Sequence, residues 1–293
     1  MHSMNKTKLL LTSTVLAILS ATVHGQTTVF QEVSGDWNVA ANWNNGIPGT
    51  DPDGNYTAII NNSRTANITS NTLPFETFLR VGNQNDPNFF GALNIGADLS
   101  VTNFQIASGP NSTGFVTQTA GTVTVGSNLQ IASNNAGASA EYTISGGTLA
   151  GPSANIAVGT VASGLFHVSG DSASISANAM NIGATATLRF TLAEAGVTPI
   201  SINEGVTITD GATLIVDGAA FTGSLGSITL LQATGITGGF GDNVTFENFG
   251  ALTPELSQVG GSLTVIPEPR VYGLALGLLA FAGIVLRRLR TRA

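Results

Sequence analysis

The 293-residue sequence contains no cysteine. Disulfides, thiolate metal sites and cysteine nucleophiles are thereby excluded together. Charge is scarce as well, with Asp, Glu, Lys and Arg making up 9% of the chain. That is too little for a helical bundle or for a chain kept unfolded by charge repulsion. Cations are scarcer still in the middle. Lys6 and Lys8 lie at the start and Arg270, Arg287, Arg288, Arg290 and Arg292 at the end, which leaves only Arg64, Arg80 and Arg189 between them. All 17 acids fall between Glu32 and Glu268. The interior is therefore acidic and free of lysine, and nucleic acid, whose phosphates require clustered cations, is not an expected partner.

Catalytic motifs are absent too. Past residue 25 the sole histidine is His167, so no HExxH zinc helix can form, and neither a GxSxG elbow nor a GxxxxGK[ST] loop occurs. His167 alternates with Phe166 and Val168 and reads as a structural or exposed strand residue. Asp51 and Asp53 in "GTDPDGN" have the spacing of the opening of a calcium loop, but Asn62 stands where the closing glutamate belongs. In "GGFGDN", Asp242 is one place early for a glycine-rich calcium repeat, and the unit occurs once. Turn chemistry is the expectation for all three; no metal, cofactor or catalytic residue is assigned.

What the sequence does have is glycine, 36 residues of it, and a period. Val81, Ile106, Ile131, Ile156 and Ile182 recur in similar contexts at steps of 25 or 26, and Gly96, Gly121, Gly146 and Gly170 at 24 or 25. Within each unit apolar residues alternate, as in "FVTQTAGTVTV" and "EYTISGGTLA", which is the period of a half-buried strand. The expected fold is all-β, a parallel β-solenoid with coils of ~25 residues. Ile106, Ile131 and Ile156 are expected in one inward column, and Asn103, Asn128 and Asn178 in turns. Residues 26–80 read as an N-terminal cap, 81–186 as the repeats, and 187–265 as strands closing the far end. Trp37 and Trp43 suit a cap; a sugar-stacking platform is the alternative.

The two ends read as targeting segments rather than fold. Lys6 and Lys8 precede an apolar stretch over residues 9–19 and then small residues, the plan of a secretory signal peptide over 1–25. Cleavage is expected between Gly25 and Gln26, with Ala21 as the rival site, and either Met1 or Met4 can start the chain. At the other end residues 271–286 carry no charge and span roughly 24 Å as a helix, short for a membrane crossing. Residues 287–293 supply Arg287, Arg288, Arg290 and Arg292, a stop that the positive-inside rule keeps cytoplasmic.

The order Pro267-Glu268-Pro269, short apolar segment and arginine-rich tail, over residues 266–293, resembles the PEP-CTERM sorting signal of Gram-negative bacteria. The resemblance implies Sec export, a membrane-bound intermediate, recognition by an exosortase, and delivery to the cell surface or extracellular matrix. The middle looks like the passenger repeats of autotransporter-like proteins. A non-enzymatic surface or matrix protein, structural or adhesive in exopolysaccharide or biofilm, is the reading that follows. A carbohydrate-active enzyme, or a carbohydrate- or ice-binding protein on the same scaffold, is the alternative.

Overall fold

The computed structural model describes residues 26–49, 56–72, 75–83, 90–222 and 226–267. The signal segment through Gly25, the acids Asp51 and Asp53, the motif residues Glu268 and Pro269, the apolar segment 271–286 and the four tail arginines lie outside the described residues. Among the described residues no helix is long and apolar enough to cross a membrane. The fold is all-β, a parallel β-solenoid of about eight turns, and among the described residues the one helical element is the 3-10 turn Ala40–Asn42.

Each coil runs up one sheet and back along a second. In a central coil, Ser139–Ile144 lies in a nine-stranded narrow sheet and Gly147–Val158 crosses into a wider sheet of 13 strands, before Ser163–Ser169 returns to the first. Up to the C-terminal hairpin, neighbours in each sheet are one coil apart and parallel, as between Ser139–Ile144 and Ser163–Ser169. The long strands of the wide sheet slip in register halfway, between Ala150 and Asn155 for example. In the eighth coil the same bend separates Ile200–Ile202 from Gly205–Ile208.

Alternation in the strands becomes inward columns between the sheets. Ile68, Ile95, Gln118, Ile144, Val168, Phe190 and Val216 stack in the narrow sheet. In the wide sheet Val81, Ile106, Ile131, Val158, Ile182 and Ile208 form one column. Leu79, Phe104, Leu129, Ile156, Met180 and Val206 form the next. All three isoleucines of the expected column are buried, but Ile156 belongs to the neighbouring one. The turn before Ser139 and the corner at Pro152 and Ser153 each add one residue to that coil, so Val158 rather than Ile156 falls beside Ile131. Each fully buried Ile or Leu contributes about 1.5–3 kcal/mol over an exposed one.

The asparagines also sit differently from expectation. Asn103, Asn128 and Asn155 are in register on an outward column of the wide sheet, and Asn128 Nδ2 donates to Asn103 Oδ1 at 3.2 Å. They lie in strands, not turns, and Ala179 rather than Asn178 continues the column. The turns rely on glycine. Gly121 and Gly147 have φ of 72° and 80°. A Cβ on Gly121 would meet the Ala97 backbone at 2.3 Å, and one on Gly147 would meet the Gly121 carbonyl at the same distance. Left-handed geometry and close coil stacking require glycine there.

Both ends of the wide sheet are covered. At the start, Val29 N–H donates to Asn44 Oδ1 at 2.7 Å and Asn45 Nδ2 donates to the Thr27 carbonyl at 2.7 Å. Side-chain amides thus occupy edge groups that another strand would otherwise use. Beneath them Phe30, Trp37 and Trp43 are buried; the Trp rings meet edge to face at 4.7 Å, and Trp43 Nε1 donates to the Trp37 carbonyl at 2.7 Å. Neither indole offers a free face to a sugar. At the far end Pro254–Val259 and Ser262–Pro267 form an antiparallel hairpin, and its second strand pairs antiparallel with Ile228–Gln232.

Candidate functional site

Side chains that alternate outward from the narrow sheet form polar columns, and Glu141, Arg189, Asp217 and Glu247 lie among them. One column runs Asn67, Asn94, Thr117, Thr143, His167, Arg189 and Ile215. Beside it run Ala92, Phe115, Glu141, Leu165, Thr187 and Thr213. On the other flank Thr191, Asp217 and Glu247 are in register.

Arg189 joins these columns. Its Nη2 lies 2.9 Å from Asp217 Oδ2 and 2.9 Å from Glu247 Oε2, so one guanidinium serves two carboxylates from the next two coils. Asp217 Oδ1 accepts Asn248 Nδ2 at 2.8 Å and the Ala219 N–H at 3.0 Å. The Asn248 amide chiefly holds the Asp217 carboxyl below the usual carboxylate range; burial opposes this, and the Ala219 N–H and Arg189 reinforce it.

His167 stands between threonines. Thr143 Oγ1 donates to Glu141 Oε1 at 2.8 Å and lies 3.5 Å from His167 Nδ1, while His167 Nε2 lies 3.0 Å from Thr191 Oγ1. With the Thr143 proton given to Glu141, its oxygen can only accept, so the tautomer protonated at Nδ1 and accepting the Thr191 hydroxyl at Nε2 satisfies the set. Burial first, then the charge of Arg189, lowers the His167 pKa, against the smaller pull of Glu141 and Asp217.

A shallow groove of about 310 Å³ crosses this face. Phe115, Leu165 and Ile215 supply its apolar surface, with Glu141 and Arg189 on its walls. Phe115 is 39% exposed and packs edge to face on Phe90, with centroids 6.0 Å apart. On the wide sheet the outward column Ser100, Thr124, Ala150, Ser176 and Ser201 mixes hydroxyls with alanine and forms no threonine ladder.

Of the residues singled out from sequence, His167 alone belongs to this face. Gln26 opens the first strand, Gln26–Val29. Pro267 ends the last, in register with Pro254. Asp242 is exposed, and among the described residues no group of three or more His, Asp or Glu is placed to hold a metal ion. The triad of Arg189, Asp217 and Glu247 was not visible in the sequence. Its members are 28 and 58 residues apart, and only a coil-by-coil register brings them together.

No protein-family model matches the chain, and comparison with curated proteins and with solved structures yields no significant match.

Proposed function

We propose that the chain is an exported, non-enzymatic protein of the cell surface or extracellular matrix, delivered by its C-terminal sorting signal and structural or adhesive within exopolysaccharide. The observation that carries this reading is the order of the last 27 residues. Pro267-Glu268-Pro269, an uncharged segment and a tail with four arginines come in that order, and Pro267 ends the last described strand of the solenoid. Prolines on both sides of Glu268 disfavour helix and suit an extended segment for a protease to grip. The partners are then the Sec machinery, an exosortase, the membrane in passing, and exopolysaccharide at the destination.

The chemistry of the narrow sheet supports the non-enzymatic part. Two-carboxylate glycoside hydrolysis needs one carboxyl kept protonated by a raised pKa. Asp217 is shifted the other way, and it shares Arg189 with Glu247. Both ring nitrogens of His167 face threonine hydroxyls.

The test follows the mass of the mature chain and its membrane fraction in a host that has an exosortase and in one that lacks it. Loss of the residues after the Pro-Glu-Pro only in the first host supports sorting. A tail retained equally in both hosts overturns it and leaves residues 271–286 as a plain anchor.

A further inference from the structure

The groove on the narrow sheet has a shape and a chemistry that the sorting signal does not explain. Its lining comes from five successive strands, from Phe115 through Glu141, Leu165 and Arg189 to Ile215. At ~4.8 Å between strands it extends for about 19 Å along the solenoid axis. A volume of about 310 Å³ spread over that length is narrow and open along its course. Such a trough suits a thin linear polymer rather than a compact metabolite, which would need enclosure.

The surface of the trough is amphipathic. The Phe115 ring, 39% exposed, offers a π-surface. Leu165 and Ile215 continue the apolar floor, while the Ser139, Ser163 and Thr187 hydroxyls line the same trough. Pyranose rings have a matching character, with apolar C–H faces and hydroxyl edges. The spacing of the coils is also close to the length of one such ring, so successive units can meet equivalent positions.

Charge narrows the choice. The Arg189 guanidinium is held by Asp217 and Glu247. Glu141 takes the Thr143 hydroxyl, and among the described residues no cation pairs with it. With His167 biased toward its neutral form, the neighbourhood of the trough is net negative. An acidic polysaccharide would be repelled, and amino groups on the sugar would be attracted.

We infer that this trough binds a linear glycan carrying free amino groups, laid along the solenoid axis, with Phe115 stacking on a sugar face and Glu141 pairing with a sugar ammonium. It rests on the proposed matrix location only for the ligand's availability; sorting is read from the tail, so either idea can fail without the other.

The experiment uses the full chain in a zwitterionic detergent free of sugar head groups, titrated calorimetrically with β-1,4-linked hexasaccharides of glucosamine, glucose and galacturonate. The glucosamine hexamer should bind most tightly, the glucose hexamer more weakly and the galacturonate hexamer not at all. Phe115→Ala should weaken binding of the glucosamine hexamer about three- to tenfold, the scale of one aromatic contact. Glu141→Gln should bring the glucosamine and glucose affinities together. Thr124→Ala, on the opposite sheet, should change neither, and circular dichroism should confirm that all variants stay folded. Absence of binding to the glucosamine hexamer, equal binding of the galacturonate hexamer, or full affinity in folded Phe115→Ala would each overturn the proposal.

Discussion

Gln118 is the one polar residue in an otherwise apolar inward column, flanked by Ile95 and Ile144. It is fully buried, as is Tyr142, whose hydroxyl donates to Gln118 Oε1 at 2.7 Å. Gln118 Nε2 in turn donates to the Gly121 carbonyl at 3.2 Å and the Thr148 carbonyl at 3.0 Å. Burial pushes the Tyr142 pKa up, so the phenol remains a donor at any pH the protein meets. Tyr142→Phe strands the Gln118 oxygen, and Gln118→Met strands the phenol; each orphaned group costs about 1–3 kcal/mol. The Gly121 carbonyl keeps its bond from the Thr148 N–H at 2.8 Å, whereas Gln118→Met also removes the bond to the Thr148 carbonyl. The double variant removes donor and acceptor together and should cost about 1–3 kcal/mol less than the sum of the two single costs. Urea unfolding followed by hydrogen exchange in Thr113–Gln118 and Ser139–Ile144 reads the loss where it occurs, because stability in a solenoid is set by neighbouring coils. Simple additivity of the two single costs would refute the argument that the pair acts as a unit.

Ile131→Asp places an unpaired charge in the core and should lower the unfolding temperature far more than Thr124→Asp, which alters an exposed side chain; equal thermal scans would refute the inward column. Stability should fall on acidification in two stages. His167, with its folded pKa depressed, contributes stability that is full above the unfolded value of 6.5 and declines below it, and Asp217 does the same below 3.8. His167→Asn should abolish the upper stage and leave the lower one, as measured by urea midpoints against pH. Replacing Pro267 and Glu268 by Ala should leave membrane insertion intact while full-length chain accumulates, seen by mass spectrometry of the membrane fraction. Removing Arg287, Arg288, Arg290 and Arg292 should instead weaken retention and orientation.

The solenoid was legible because side-chain alternation and coil period are both written locally. Phe104, Gln105 and Ile106 pair with Leu129, Gln130 and Ile131 at a constant step, and a constant step is what a repeat search detects. Where the coil changes length the sequence misleads. One residue added in the turn before Ser139 and one at the Pro152–Ser153 corner leave the strand pattern intact, so Ile156 kept the expected spacing and lost its register. The outer face was harder for a related reason. The outward column that carries the charges has no common side chain, since Thr143, His167, Arg189 and Ile215 are successive members of it, and chemistry that recurs at no fixed residue type leaves no periodic trace. The groove exists only through that register, so no single segment announces it.

The ends of the solenoid follow unequal logic, and the difference bears on how the chain is handled. At the start, Asn44 and Asn45 occupy the free edge of the wide sheet with side-chain amides, a closure that needs no further chain. At the far end the sheet is closed by reversing direction, through the antiparallel pairing of Ile228–Gln232 with Ser262–Pro267. A reversed strand breaks the parallel stacking by which coils are added, and Pro254 opposite Pro267 removes two backbone donors where the hairpin ends. Pro267 is also the first residue of the proposed sorting motif. On the proposed function, the motif therefore begins within the last described strand with no spacer before it. If the proposed sorting holds, presentation of the motif would depend on the last hairpin being formed, and truncating Pro254–Val259 should then reduce removal of the tail, read by mass spectrometry of the exported chain.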